Sequence, residues 1–319
     1  MKHYLGMDIG GTKCAVVLGE KKGNGVSIKN KIVFDTNSEK GWEKVVDRLI
    51  SCAKKLADDE GVVFSDILSC GVSCGGPLDS ETGIIMSPPN LPGWDNVPLV
   101  DIIRRELGVP CKLENDADAC ALAEWQFGAG RGSKNMIFLT FGTGMGAGLI
   151  IDGKLYSGTC GTAGEVGHIR IDSDGPAGYG KAGSFEGYCS GGGIANLGKR
   201  MIKFYSGDTS LDSSDMSAKS IAEAARNGDA LALAIYKKSG EMLGRGLSVL
   251  IDILNPEKII IGSIFQRSGE LMVQSMRETL NKEALPVALS VCQIIPSLLG
   301  DEIGDYAALG VAKESAEAK

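Results

Sequence analysis

The sequence has little histidine, no excess of positive charge and no long apolar segment. Its 319 residues contain 33 Lys and Arg against 40 Asp and Glu, which gives a formal net charge of −7. Nucleic-acid-binding domains normally carry a basic face, so this balance argues against a nucleic-acid partner. The apolar runs are short and broken by glycine, so no membrane-spanning segment is expected. Asp8 interrupts the first apolar run, which argues against a signal peptide.

Cysteine is present in an odd number and at irregular spacing. The nine cysteines do not form the regular framework of a small disulfide-rich protein, and several lie in apolar runs. We therefore expect reduced thiols and a cytoplasmic protein. Apolar residues make up 43% of the chain, enough for a sizeable core, and the length favours about two domains.

A pattern of strand, glycine turn and strand occurs twice, at Met7–Thr12 and at Leu139–Gly144. Each copy precedes alternating helical and strand-like segments. This repetition predicts an α/β fold of two similar halves around a central cleft. The expected domains are residues 1–113 and 114–303, and a helix at about 304–319 is a candidate to pack back on the first domain.

The two glycine turns are candidates for phosphate binding. Glycine lets the backbone approach a ligand closely, so that successive N–H groups can point at phosphate oxygens. One such turn alone would more often be an ordinary tight turn, and neither copy matches a Walker A loop or a dinucleotide fingerprint. Asp8 lies on the apolar strand before the first turn, where a carboxylate is costly unless a cation is near. A magnesium–phosphate cluster would supply that cation.

A polar cluster, Glu114-Asn115-Asp116, follows a strand and precedes an alanine-rich helix. Asn115 or Asp116 would cap this helix, which is the purely structural interpretation. A carboxylate at the carboxyl end of a strand is also where α/β proteins often place their chemistry. Phosphoryl transfer to a hydroxyl needs one carboxylate to orient the nucleophile and accept its proton.

A third polar segment, Gly161–His168, contains Glu165 and one of only two histidines in the chain. A sugar presents several hydroxyls that donate and accept hydrogen bonds, so carboxylates and an imidazole suit it. Taken alone, this segment would more often be a loop with a hydrogen-bonded histidine.

Together these motifs resemble the ROK family (repressors, open reading frames and kinases), whose members have an actin-like, hexokinase-type ATPase fold with ribonuclease H-like halves. The resemblance covers nearly the whole chain. Its segments are, in chain order, Asp8–Lys13, Gly71–Asp79, Pro89–Trp94, Glu114–Ala117, Phe141–Gly146, Gly164–His168 and Asn255–Gly262.

The resemblance implies ATP-dependent phosphorylation of a hexose at its 6-hydroxyl. Glucose is the default substrate; N-acetylmannosamine, N-acetylglucosamine and allose are alternatives. Asp116 would be the base, with Glu114 as a rival that more naturally orients the loop. The implied sugar-binding residues are Asn90, Asn115, Asp116, Glu165, His168 and Glu186. The implied nucleotide-binding residues are Asp8, Gly10, Gly11, Thr12, Lys13, Gly142, Thr143, Gly144 and Gly262.

The implied cofactors are ATP and Mg²⁺, the latter near Asp8, and the expected assembly is a homodimer. The family also contains sugar-responsive repressors, which need a DNA-binding segment ahead of the first phosphate motif. Only seven residues precede Asp8 here, so that alternative is disfavoured. A sugar-sensing regulator without catalysis is the other alternative, and intact phosphate motifs and Asp116 argue against it.

The chain departs from the family pattern after His168. The family usually has three cysteines there that bind structural zinc with the histidine, and this chain has Ala177, Tyr179 and Ser184 instead. Zinc needs about four N, S or O ligands, so no structural zinc is expected. Cys160 and Cys189 lie outside the pattern and are poor substitutes.

Without zinc, Tyr179 is expected to anchor this loop by packing, with help from Phe185. A second departure is Ser263, which follows Gly262 where the family more often has a further glycine. The adenine contacts near Ser263 therefore stay open.

Overall fold

The computed structural model describes residues 1–36 and 41–318. Its strands are β1 (His3–Ile9), β2 (Lys13–Lys22), β3 (Gly25–Asp35), β4 (Ile67–Cys74), β5 (Leu78–Asp79), β6 (Ile84–Ile85), β7 (Cys111–Asn115), β8 (Met136–Phe141), β9 (Met145–Ile151), β10 (Lys154–Leu155), β11 (Ala177–Gly178), β12 (Lys181–Ala182), β13 (Lys258–Ile261) and β14 (Gln293–Pro296). Its helices are α1 (Trp42–Asp59), α2 (Leu99–Leu107), α3 (Asp116–Gln126), α4 (Phe185–Tyr188), α5 (Gly191–Met201), α6 (Ala218–Arg226), α7 (Ala230–Leu254), α8 (Ile264–Ser268), α9 (Val273–Glu283), α10 (Pro286–Leu289) and α11 (Ile303–Glu317).

Two five-stranded sheets are built on the same plan. The first has the order β3-β2-β1-β4-β7 and the second the order β10-β9-β8-β13-β14. In each, a hairpin of antiparallel strands (β1 with β2, β8 with β9) continues into two parallel strands. The predicted α/β class with two similarly built halves is confirmed.

The chain divides into two compact units. The first contains Met1–Gly132, Leu155–Thr162 and Asp301–Lys319, and the second contains Ser133–Lys154 and Ala163–Gly300. This division differs from the expected boundary at residue 113. The reason is that α3 packs against α11, which also contacts β1 and β4. That packing depends on residues far apart in sequence, so the local pattern near residue 113 does not reveal it.

Two neighbouring glycines let α11 lie directly on the first sheet. Gly6 of β1 pairs with Gly71 of β4. A Cβ added to Gly6 would lie 3.0 Å from the Cβ of Ala308, and one added to Gly71 would overlap the backbone of the same helix. Glycine is therefore required at this contact, and the C-terminal helix is an integral part of the first unit.

Each unit has its own apolar core. In the first, the core lies between the sheet and helices α1 and α2; in the second, it gathers around the long helix α7. All nine cysteines are free. Across residues 1–36 and 41–318, no helix is both long enough and apolar enough to cross a bilayer.

Candidate functional site

The first glycine turn is the connection between β1 and β2. The N–H of Gly10 donates to the carbonyl of Lys13 at 3.0 Å, while the side chains of Thr12 and Lys13 are exposed. A Cβ on Gly11 would lie only 2.7 Å from the carbonyl oxygen of Asn90. The absence of a side chain at Gly11 thus lets this turn lie against the loop that carries Asn90.

Asn90 is placed by its buried neighbours. Leu91 and Trp94 are fully buried in the core of the first unit, and the N–H of Leu91 donates to the carbonyl of Pro88 at 2.9 Å. These anchors leave the Asn90 side chain exposed. A rigid loop that presents one polar side chain is suited to ligand binding.

Asp116, the candidate base, shares a small region of space with Asn90. The position that a Cβ on Gly75 would occupy is 3.5 Å from Nδ2 of Asn90 and 3.8 Å from Oδ2 of Asp116. The other carboxylate oxygen of Asp116 accepts the N–H of Ala117 at 2.8 Å. The side chain remains open to solvent, while the protein atoms packed around it raise its pKa. Asp116 therefore keeps one oxygen directed at the space that it shares with Asn90.

Glu114, the rival base, is already engaged. It is buried, and its Oε1 accepts hydrogen bonds from Oγ of Ser80 at 2.8 Å and from the N–H of Asn115 at 3.2 Å. Nζ of Lys112 lies 3.4 Å from its Oε2 and also contacts Glu314. These partners hold Glu114 in place beneath the loop, an arrangement suited to orienting Asn115 and Asp116.

The two polar atoms of the Asn115 side chain have different surroundings. Its Oδ1 accepts the N–H of Ala117 at 2.9 Å and thereby caps α3. Its Nδ2 lies 3.2 Å from the position that a Cβ on Gly76 would occupy. The amide is thus fixed by the cap, next to Gly75 and the space that Asp116 faces.

Asp8 is a half-buried carboxylate on β1. Burial raises its pKa to about 6, a hydrogen bond with Ser73 opposes this rise, and the charges of Asp116 and Asp305 add to it. Its Oδ2 lies 2.8 Å from the position of a Cβ on Gly304, near the start of α11. Within the described ranges, no three His, Cys, Asp or Glu side chains form a group able to hold a metal.

Asp118 is an acidic residue that the sequence reasoning did not single out. It is 3% exposed, Oγ of Ser157 donates to its Oδ2 at 3.0 Å, and its Oδ1 is buried with no hydrogen-bond partner among the described residues. Burial raises its pKa to about 7, and the charge of Glu114 contributes. The available signal was an aspartate among the alanines of α3, four residues after Glu114.

The second glycine turn connects β8 and β9 in the second unit. The N–H of Gly142 donates to the carbonyl of Gly144 at 3.1 Å. The carbonyl of Gly142 accepts the N–H of Gly191, the first residue of α5, at 2.8 Å. Oε2 of Glu186 accepts the N–H of Met145 at 3.0 Å. The turn is therefore held by a helix start on one side and by a carboxylate on the other.

Glu165 and His168 lie at the two ends of one short helical turn. The N–H of His168 donates to the carbonyl of Glu165 at 3.1 Å, and both side chains are exposed. The carbonyl of His168 accepts Nζ of Lys181 at 2.8 Å. Gly164 has φ +94, and a Cβ there would overlap the backbone of Ala147. Glycine therefore lets the loop lie against β9 and present Glu165 and His168 on the same turn.

The segment that departs from the zinc pattern is a tight hairpin of β11 and β12. Its two turn residues, Tyr179 and Gly180, have φ +49 and +71, as in a type I′ turn. Tyr179 is 72% exposed and its ring lies 6.3 Å from that of His168, edge on. The expectation that Tyr179 anchors the loop by packing is wrong, because the turn places it exposed at the hairpin tip.

Ser184 and Phe185 hold this segment instead. Oγ of Ser184 accepts the N–H groups of Gly178 and Gly187 at 3.0 and 3.1 Å, which ties the hairpin to α4. Phe185 is fully buried, and a Cβ on Gly246 of α7 would overlap its ring. Phe185 is thus part of the main core of the second unit and not of a small cluster around the exposed Tyr179, and Ser184 supplies the main polar anchor.

Gly262 and Ser263 lie between β13 and α8. The N–H of Gly262 donates to the carbonyl of Leu139 at 3.0 Å. Ser263 has φ +51 and ψ −105, a conformation that strains any residue with a side chain. Its Oγ is 3.8 Å from the position of a Cβ on Gly142. A serine thus occupies a position suited to glycine, beside the second glycine turn.

Each unit therefore gathers its own share of the sequence-predicted residues. In the first unit these are Asp8, Gly10, Gly11, Asn90, Asn115 and Asp116; in the second they are Gly142, Thr143, Gly144, Glu165, His168, Glu186 and Gly262. The start of α5 was missed, because three successive glycines at Gly191–Gly193 obscure the helical pattern.

Comparisons with known proteins point to one family. A sequence model of the ROK family matches residues 4–314. The glucokinase of Thermotoga maritima is 33% identical over 317 residues, 97% of each chain. The xylose repressor of Caldicellulosiruptor bescii is 32% identical over 246 residues, which cover 76% of this chain and 61% of the repressor.

A solved structure of the same family has a similar fold. It is a ROK family glucokinase from Streptomyces griseus in complex with glucose and AMPPNP. Its sequence is 30% identical, it superposes with a TM-score of 0.75, and the match covers 98% of this chain and 99% of that one.

Proposed function

The chain belongs to the ROK family, and from this premise we propose that it transfers the γ-phosphoryl group of ATP to the 6-hydroxyl of glucose. The observation that carries the proposal is the free carboxylate oxygen of Asp116, which faces the same space as the Asn90 amide. The full-length similarity to glucokinases supports the choice of glucose.

In the proposed reaction, Asp116 accepts the proton of the sugar 6-hydroxyl. The 6-oxygen of the sugar then forms a bond to the γ-phosphorus of ATP, while the bond between the γ-phosphorus and the oxygen that bridges it to the β-phosphorus breaks. The products are a sugar 6-phosphate and ADP. The raised pKa of Asp116 makes its carboxylate a better proton acceptor than an ordinary aspartate. Glu114 orients the loop through Asn115 and does not take the proton.

The sugar hydroxyls are bound by Asn90, Asn115, Glu165, His168 and Glu186. The nucleotide is bound by the backbone of the two glycine turns, Gly10–Lys13 and Gly142–Gly144, with Gly262 near the adenosine. Mg²⁺ accompanies ATP and neutralises phosphate charge. It is usually held by one or two carboxylates plus the phosphates, and Asp8, whose burial as an anion is costly, fits that role.

The test is a coupled assay with ATP and a panel of glucose, N-acetylmannosamine, N-acetylglucosamine and allose. We expect glucose to give the highest kcat/KM, and NMR of the product to place the phosphate on the 6-oxygen. If none of the four sugars increased ADP production, the proposal that this protein is a sugar kinase would be rejected. A preference for an N-acetylhexosamine would keep the kinase and reject glucose.

A homodimer is proposed on family grounds, and sedimentation of the purified protein measures it directly. A single species with the mass of one 319-residue chain at micromolar concentration would reject the dimer.

A further inference from the structure

Glu186 lies where four segments of the second unit meet, and each segment meets it with a glycine. A Cβ on Gly144 would lie 2.8 Å from its Oε2, and one on Gly178 would lie 2.9 Å from its Oε1. A Cβ on Gly167 would lie 3.2 Å from its Cβ, and one on Gly193 only 2.5 Å from its carbonyl oxygen. A Cβ at Gly193 would collide with the backbone of Glu186, whereas a Cβ at Gly144 or Gly178 would force the carboxylate to move, so these glycines leave the side chain its present position.

The carboxylate joins the sugar loop to the phosphate turn. Its Oε2 accepts the N–H of Met145, the residue that follows the glycines of that turn. The carbonyl oxygen of Met145 lies against Gly167, the residue before His168. A Cβ on Gly167 would overlap that oxygen. A residue whose only task was to contact a sugar hydroxyl would not need a hydrogen bond to the nucleotide side.

We propose that Glu186 is a positioning residue that couples sugar binding to nucleotide binding through the N–H of Met145. This inference rests on the proposed kinase function and adds a role to the sugar contact assigned above. A carboxylate has about four acceptor positions, so it can bind a sugar hydroxyl and the Met145 N–H together. Sugar that orders the carboxylate then also orders the turn that receives the phosphates.

Such coupling is reciprocal, so glucose strengthens nucleotide binding by the same factor by which nucleotide strengthens glucose binding. Couplings of this kind are typically about 5- to 150-fold. We expect roughly tenfold here for the wild-type protein, and a factor near one when the contact between Glu186 and Met145 is removed.

The experiment is calorimetric titration of AMPPNP with Mg²⁺ into the full chain, with and without saturating glucose. Glu186→Ala should abolish the coupling. Glu186→Gln should retain part of it, because the amide oxygen of glutamine can still accept the Met145 N–H. Lys181→Met is the matched control: it removes the hydrogen bond that Nζ donates to the carbonyl of His168 in the same sugar loop but leaves the contact between Glu186 and Met145 in place, so at saturating glucose its coupling should equal that of the wild type.

A second variant covers the case in which Glu186→Ala does not fold or no longer binds glucose. Gly178→Ala places a Cβ 2.9 Å from both Oε1 of Glu186 and Oγ of Ser184 without altering the phosphate turn itself, and it should also weaken the coupling. Wild-type coupling in Glu186→Ala or Gly178→Ala, or an equal loss in Lys181→Met, would overturn the inference. Failure of the kinase proposal is separate, because wild-type protein would then phosphorylate no sugar of the panel.

Discussion

Replacement of the buried Asp118 by asparagine should change how the stability of this protein depends on pH. Burial raises the pKa of Asp118 from 3.8 to about 7. Between about pH 4 and pH 7, the folded chain therefore keeps a proton that the unfolded chain has released. A raised pKa in the folded state means that this group stabilises the fold at low pH and that the stabilisation is lost as pH rises through about 7.

The magnitude follows from the shift. Each pKa unit corresponds to about 1.4 kcal/mol, so about three units predict a loss of roughly 4 kcal/mol from this one group between pH 4 and pH 8. Asp118→Asn carries no titrating proton, so its unfolding free energy should equal that of the wild type near pH 4 and exceed it by several kcal/mol at pH 8. Asp8, whose pKa is about 6, acts in the same direction but is present in both proteins and cancels in the difference.

The assay is urea denaturation of both proteins at pH 4, 5, 6, 7 and 8. Ser157→Ala is the matched control, because it removes the hydrogen bond that lowers the pKa of Asp118 and should move the loss of stability to higher pH. Parallel pH profiles for wild type and Asp118→Asn would refute the reasoning and show that Asp118 is ionised in the folded state.

Three further predictions address the site. Asp116→Asn should lower kcat by about 10²–10⁴-fold while glucose affinity stays within a few-fold, as measured by steady-state kinetics and calorimetry; a near wild-type kcat would assign the base to another group. Ser263→Gly should stabilise the protein by about 1–3 kcal/mol in urea denaturation because it relieves a positive φ, whereas Ser263→Ala should not; equal effects would argue against backbone strain. Chelation followed by return of Mg²⁺ should leave the Tm and glucose affinity unchanged because Ser184 holds the hairpin, and one zinc per chain in elemental analysis would contradict this.

The sequence predicted the strands beside the two glycine turns closely because their signals are local. Short apolar runs that end at glycine turns predicted β1 and β8. The fold class followed from the repetition of these local patterns. The helix α6 was missed although Ser217 and Ser220 form a capping box at its start.

The features that the sequence did not reveal depend on long-range packing. The sequence offered the C-terminal helix as a candidate to pack on the first domain, but it did not indicate that α3 packs against that helix and so belongs to the first unit. The start of α5 consists of glycines that contact neighbouring segments. A Cβ on Gly193, for example, would collide with the carbonyl of Glu186. Tyr179 was expected to anchor the loop by packing because it is large and apolar, but its place in a two-residue turn decides its exposure.

The contact of α11 with Gly6 and Gly71 has a consequence for folding during synthesis. The sheet of the first unit is translated early, but the helix that covers its glycine patch is translated only after the whole second unit. The nascent first unit must therefore remain incomplete, with apolar surface on β1 and β4 uncovered, while the second unit can form its own core. The second unit is expected to fold first on the ribosome although it comes later in the sequence, and protection of the first sheet by a chaperone would matter most in that interval.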